Sequence, residues 1–348
     1  SRPVKLIEDS KYYSFYEKKN ILITGCGGSI GSQIVKEILK YNPNKIYGLD
    51  ISEENIFNIT QQIAKIGFLN KCKFFVTDIN NSEKIKNLIH QCKPEIVIHA
   101  AARVHQMNDQ SQDPLSEFME VNCFGTLNLA RQAAEAGVKR FVFLSSIKVN
   151  GEKTQSGVPF RFNDASHSND PYGISKAEAE VGLLKIALET NLEVIIIRPP
   201  LVYGPGVKAN FKSLMRIAER NIPLPLGAIR NKRSFVAVDN LVDLINICVD
   251  HPDAVNKVFL VSDDSDISTP ELVTLMANAF GSKSHLLNIS PRLLKLIAKI
   301  IGKQSIVDRL CDDFQIDIKH TKDTLGWKPR ISMTEGIRRC AEHLKNNN

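Results

Sequence analysis

The chain has 348 residues, of which 43% are hydrophobic, and a formal net charge of +7. That length holds one large or two modest domains, and no run approaches the ~18 uninterrupted apolar residues of a spanning helix, so no membrane contact is expected of this chain. The positive charge is spread along the sequence without a basic tract interleaved with aromatics, which argues against nucleic acid and suits an anionic small ligand.

Residues 1–19 read as a polar N-terminal extension. Ile21–Ile23 then forms a short apolar strand that breaks into glycines and continues as a helix, with Ile34, Ile38 and Leu39 at helical spacing. Strand, glycine turn and helix make the first unit of a dinucleotide-binding fold. Gly25 turns the chain, Gly28 admits a pyrophosphate close to backbone, and Gly31 lets the helix pack on the strand. Ser29 and Ile30 open the helix, whose N-terminal N–H groups favour phosphate. The spacing is G-x-x-G-x-x-G rather than G-x-G-x-x-G, and a bland tight turn is the alternative for these residues taken alone.

A second strand, Lys45–Leu49, ends in Asp50. An acid there accepts hydrogen bonds from the adenosine ribose and favours NAD over NADP; capping the helix at 52–66 is the other role open to it. Further strands are read at Lys73–Val76, Glu95–His99, Arg140–Leu144 and Glu193–Ile197, with helices at 114–136 and from Pro171 to Glu189. This alternation predicts an α/β, doubly wound parallel sheet of Rossmann type. Asp78 and Ile79 follow the third strand and are placed to flank an adenine. Ala100, Ala101 and Ala102 follow the fourth and leave room for a cofactor.

Beyond Pro199 the sequence turns rich in proline and glycine, and short helices follow at about 210–220, 239–250, 269–280, 290–302 and 333–346. The NAD-binding domain is therefore read as 20–200 joined by about 234–255. A smaller, mostly helical substrate-binding domain takes 201–233 and 256–348. The seven cysteines show no C-x-x-C pair or metal-ligand spacing. No metal is expected, and reduced thiols point to the cytoplasm.

Ser145 and Ser146 follow the fifth strand, at the sheet edge where ligands of such folds sit. Tyr172 starts the next helix, and Lys176 lies one turn on. An ordinary tyrosine, with a pKa of about 10, is a poor base at neutral pH. A cation one turn away is expected to lower that value, and Ser146 can share the same substrate hydroxyl. Together the three form an acid/base device of the kind that accompanies hydride transfer to a nicotinamide.

These motifs, Thr24–Gly31, His99-Ala100-Ala101-Ala102, Asn122, Ser145-Ser146 and Tyr172-Gly173-Ile174-Ser175-Lys176, resemble the extended short-chain dehydrogenase/reductase family. Arg198–Gly206 is similar to its nucleotide-sugar epimerase and 4-keto-reductase branch. The resemblance implies NAD contacts from the glycine loop, Asp50, Asp78, Ile79, the three alanines, Asn122, Ser145, Tyr172, Lys176 and Pro199. Asn122 is expected to support the lysine, or simply to make a local helix hydrogen bond. For a UDP-sugar substrate it implies Ser146, Asn210 and Arg233, with Arg309 as a second phosphate arginine; a surface salt bridge is the other reading of Arg233. A homodimer is also implied.

The N-terminal part resembles UDP-N-acetylglucosamine 4,6-dehydratases, in which an acid follows the serine/threonine. Here that position is Ile147, which cannot donate a proton. The expected activity is inversion at C4 of a UDP-hexose or UDP-N-acetylhexosamine through a 4-keto intermediate, serving surface polysaccharide synthesis. The alternatives are a UDP-4-keto-6-deoxy-sugar 4-reductase and, further off, a dehydratase or a non-catalytic NAD-binding protein.

Overall fold

Short apolar runs bounded by glycine, proline or polar turns build the sheet at the centre of this protein. The computed structural model describes residues 10–104, 113–206 and 210–346. Strands β1 (Asn20–Thr24), β2 (Lys45–Asp50), β3 (Cys72–Val76), β4 (Ile96–His99), β5 (Arg140–Leu144) and β6 (Glu193–Arg198) alternate with helices. After a two-stranded pair, β7 (Val202–Tyr203) with β8 (Val236–Ala237), comes β9 (Lys257–Leu260). The main sheet has the order β3-β2-β1-β4-β5-β6-β9 and is parallel throughout. Chain order departs to one side of β1 towards β3 and returns on the other at β4. That switch opens a crevice at the carboxyl ends of β1 and β4.

Helix α1 (Ser10–Tyr16) corrects the reading of residues 1–19 as a polar extension. Tyr12 and Tyr16 are wholly buried. The Tyr12 hydroxyl donates to Asp243 Oδ1 at 2.9 Å, and Trp327 Nε1 donates to Asp243 Oδ2 at 2.8 Å. Charged residues on both sides of the aromatic run Tyr12–Tyr16 hid a buried face. The crossover helices follow as α2 (Ser29–Leu39), α3 (Glu53–Lys65), α4 (Ser82–Cys92), α5 (Pro114–Phe118) and α6 (Thr126–Glu135). The helix read at 114–136 is one continuous element, but its middle, Met119–Gly125, winds as a π-helix, a widening common at functional sites. Helix α7 (Pro171–Glu189) carries the tyrosine and lysine.

The second lobe contains α8 (Asn210–Glu219), while α9 (Val238–Asp250) packs back on α2 and β5. Then follow α10 (Thr269–Phe280), α11 (Pro291–Ile300), α12 (Gln304–Cys311), α13 (Lys319–Leu325) and α14 (Met333–Asn346). Phe211, Met215, Phe235, Met276 and Ile337 form its core. Strand β9 is a departure from the sequence reading, which placed residues from 256 on in the helical lobe. Its four residues pair in register with Ile195–Arg198 and close the sheet. A run that short has no periodicity to separate strand from helix.

Candidate active site

The crevice is lined first by the glycine loop. Gly25 has φ +66°, and a Cβ there would lie 2.7 Å from the Ala101 nitrogen. A Cβ on Gly31 would lie 2.0 Å from the Gly25 carbonyl oxygen. Both positions need glycine, for the turn and for helix packing respectively. At Gly28, which begins α2, no side chain caps the helix, so its first N–H groups stay directed at the crevice beside half-buried Ser29 and Ile30. Loop, uncapped helix end and the three small alanines fit the pyrophosphate of a dinucleotide.

Asp50 is buried, and it does not cap α3; that cap is Ser52, whose hydroxyl accepts from Asn55 N–H at 3.2 Å. Asp50 Oδ2 accepts from Gly27 N–H at 3.1 Å, and Oδ1 accepts from Ser52 N–H and Asn55 Nδ2. The carboxylate thus ties the glycine loop to the tip of β2 and keeps lone pairs for a ribose hydroxyl. A 2′-phosphate would meet this negative charge. Titration is expected to give NAD at least ~10-fold tighter binding than NADP, about 1.4 kcal/mol; equal affinities would leave Asp50 only its loop-tying role. Asp78 stays exposed, with Oδ1 accepting from Asn80 N–H, whereas Ile79 is buried under Gly125.

Ser146 and Tyr172 meet at the carboxyl end of β5. Ser146 Oγ accepts from Lys148 N–H at 3.2 Å, and Pro199 O accepts from Ile147 N–H at 3.0 Å, so the Ser146 turn is held from both sides. Burial raises the Tyr172 phenol to about 12; hydrogen bonding to Ser146 opposes that rise, and the Asp170 charge adds to it. The expected lowering by Lys176 is absent from this arrangement. Lys176 is 1% exposed, and its Nζ donates instead to the Leu144 carbonyl at 2.9 Å, 4.4 Å from the Phe143 ring centre. Burial brings the Lys176 ammonium down to about 7, with Glu180 acting the other way. Lys148 also stands near the site, its Nζ 5.8 Å from the Tyr172 ring centre and bonded to Asp170 at 2.7 Å.

Two further expectations are corrected. Asn122 does not touch Lys176: its Oδ1 accepts from Arg103 N–H at 2.8 Å, and its Nδ2 donates to Arg103 O and Ser175 Oγ. Ser175 Oγ donates in turn to Tyr172 O, so Asn122 fixes the first turn of α7. The Ser145 hydroxyl, expected at the cofactor, donates to buried Glu180. Arg198 Nε lies 3.0 Å from Glu180 Oε1 and its Nη2 lies 2.5 Å from Oε2, while its Nη1 donates to Asn150. This buried group beneath Lys176 was missed by sequence reasoning. Its only sequence trace is a glutamate one turn beyond the lysine, on the face that packs inward.

His99 was noted only as part of a motif. It is fully buried between Thr24 Oγ1 at 2.5 Å and Thr126 Oγ1 at 2.8 Å, and burial keeps it well below the ordinary histidine range. A neutral ring there links the β1 loop to the π-helical segment.

On the second lobe, Asn210 begins α8, but its side chain lies outside the described residues. Arg233 makes no surface salt bridge among the described residues: its Nη1 donates to the carbonyls of Arg309, at 2.6 Å, and Asp312, while its guanidinium lies 5.5 Å from the Phe314 ring centre. Burial lowers the Arg233 guanidinium, with the Asp312 charge opposing the fall and the Arg309 charge adding to it. An arginine so placed has a donor fork suited to phosphate oxygens. The adjoining cleft is lined by Lys153, Arg230, Asn231 and Asp313 among others.

Residues 21–262 match the NAD dependent epimerase/dehydratase family. The UDP-glucose 4-epimerase of Vibrio cholerae is 44% identical over 336 residues, 93% of this chain and 95% of that one. The solved UDP-glucose 4-epimerase of Thermotoga maritima, with UDP-glucose, covers 94% of this chain and 99% of its own at a TM-score of 0.75 and 23% identity. WbmG of Bordetella bronchiseptica, solved with NAD and UDP, covers 95% of each chain at a TM-score of 0.74 and 18% identity. With a glycine loop built for a dinucleotide and Ser146, Tyr172 and Lys176 at the crevice, the chain belongs to the NAD dependent epimerase/dehydratase family and takes NAD as its cofactor.

Proposed function

We propose that the protein inverts C4 of a UDP-hexose or UDP-N-acetylhexosamine. The observation that carries the reading is the pairing of Ser146 with Tyr172 beside Ile147, which is 2% exposed and purely hydrocarbon. The residue that follows the serine is no acid that could drive elimination of water, so oxidation and reduction at C4 is the chemistry these side chains support. The similarity to UDP-glucose 4-epimerases points the same way.

When bound, NAD supplies a positively charged nicotinamide that takes a hydride from C4 and returns it to the opposite face. Tyr172 removes the C4 hydroxyl proton and later restores one, while Ser146 shares the hydrogen bond. Lys176, held on the Leu144 carbonyl, places an ammonium beneath the site. Arg233 and Arg309 hold the diphosphate while the 4-keto sugar turns, with Asn210 as a further contact. NAD contacts fall to the glycine loop, Asp50, Asp78, Ile79 and the alanines, with Asn122, Ser145 and Pro199 bracing the site from behind.

Incubation with UDP-glucose and, separately, UDP-N-acetylglucosamine, adding no reduced cofactor, is expected to yield the galacto-configured product by NMR. Failure with both, together with NADH consumption on a 4-keto-6-deoxy sugar, would reassign the enzyme as a reductase. A role in surface polysaccharide synthesis in the cytoplasm accords with such a substrate.

The protein is further proposed to dimerise through α5–α6 and α7. Val181 and Leu188 on α7 and Phe124 before α6 are exposed apolar side chains, and Leu184 is half-buried between the two on α7. Light scattering at micromolar concentration is expected to give twice the chain mass, and Val181→Glu/Leu188→Glu to give one.

A further inference from the structure

Helix α11 presents an apolar stripe to solvent. Leu293, Leu296, Ile297 and Ile300 recur at i, i+3, i+4 and i+7, and Ile300 is 77% exposed. Leu294 and Ala298 are buried and pin the helix to the lobe by its other side. Ile301 and Ile306 extend the exposed surface, at 60% and 46% exposure. Such a stripe is a cost in water that a monomeric surface rarely keeps.

The charge around it has one sign. From Gly281 to Val307 the sequence contains no Asp or Glu, yet it contains Lys283, Arg292, Lys295, Lys299 and Lys303. Lys295 is spent on Asp308 and Asp312, at 3.2 and 2.7 Å. Arg292 and Lys299 lie along one flank of the stripe and Lys303 follows its end; none makes an ion pair with the described residues.

We propose that α11 docks the enzyme on a bilayer containing anionic phospholipid. The aliphatic stripe enters the interface and Arg292, Lys299 and Lys303 meet the lipid phosphates, as basic amphipathic helices do. The earlier expectation of no membrane contact rested on the absence of a spanning segment, and the described residues include no helix long and apolar enough to cross. A helix lying in the interface needs none.

The test is sedimentation of the whole protein with vesicles of phosphatidylcholine alone and of phosphatidylcholine mixed with phosphatidylglycerol, at low and high salt. Binding is expected only to the mixed vesicles and is expected to fall as salt rises. Each surface cation is worth about fivefold in partitioning, so Lys299→Glu/Lys303→Glu is expected to lower it at least tenfold. Leu296→Ser/Ile300→Ser is expected to do the same, with turnover on soluble substrate and chain mass by light scattering unchanged. Absence of the wild-type protein from both vesicle pellets overturns the proposal, as does equal binding by the wild type and the charge variant. A fall in oligomer mass in Leu296→Ser/Ile300→Ser without vesicle binding assigns the stripe to a second copy and overturns it too. Should that variant fail to fold, the salt series and the charge variant decide.

Discussion

Tyr172→Phe is expected to bind NAD with unchanged affinity and to turn over at ~10²–10⁴-fold below the wild-type rate, the usual worth of a positioned acid/base group. The ring is held without its hydroxyl: Phe118 packs edge-on at 6.0 Å and Lys148 lies 5.8 Å from its centre. The backbone there is fixed by Ser175 Oγ on the Tyr172 carbonyl. Phenylalanine therefore keeps the shape and loses only the proton carrier. A phenol raised to about 12 is protonated at neutral pH in this arrangement, so Tyr172 takes the substrate proton only where an added positive charge draws it down, which a bound oxidised cofactor would supply. Below the pH near 7 at which Lys176 gives up its proton, the wild-type rate of substrate oxidation is accordingly expected to rise with pH, and the residual rate of the variant to lose that dependence. Cofactor binding by fluorescence and turnover by NMR separate the two effects; a variant with more than about a tenth of the wild-type rate would remove Tyr172 from the chemistry.

How much of this site could be seen in the sequence follows from where its bonds run. The glycine loop, Asp50, the serine pair and the Tyr172–Lys176 pair are local signatures, each confined to a few consecutive residues after a strand or at a helix start. The fold places them together because a parallel sheet gathers its carboxyl ends at one edge. The partners of those groups are not local. Ser145 reaches Glu180 across 35 positions, and His99 reaches Thr24 across 75. Nothing in a helix glutamate says that it will be 4% exposed and paired with Arg198. The expected effect of Lys176 on Tyr172 failed for a related reason. One turn of separation on a helix puts two side chains on a face, but the Leu144 carbonyl at the end of β5 competes for the ammonium and wins. The α1 helix and β9 were missed because both are short and are stabilised by what they pack against, α9 and β6 respectively.

Glu180→Gln is expected to destabilise the fold by about 3–5 kcal/mol, the range found when one partner of a buried ion pair is removed. Arg198 is 8% exposed, and its remaining partners are the Asn150 and Phe162 oxygens, both neutral, so its charge would be left in a low-dielectric site uncompensated. A glutamine keeps one acceptor oxygen, which Ser145 and Arg198 would have to share. The denaturation midpoint is expected to fall with its slope unchanged, and Arg198→Met added to Glu180→Gln is expected to recover part of the loss because it removes the stranded charge. The same change reaches the chemistry. Glu180 holds the Lys176 ammonium up against the desolvation that brings it to about 7. Without it the lysine loses its proton at lower pH, and the fraction charged at neutral pH drops. Turnover that depends on the ammonium is therefore expected to decline at lower pH in Glu180→Gln than in the wild type. Stability within about 0.5 kcal/mol of the wild type would show that Glu180 does not support Arg198, and superimposable pH profiles that it does not support Lys176.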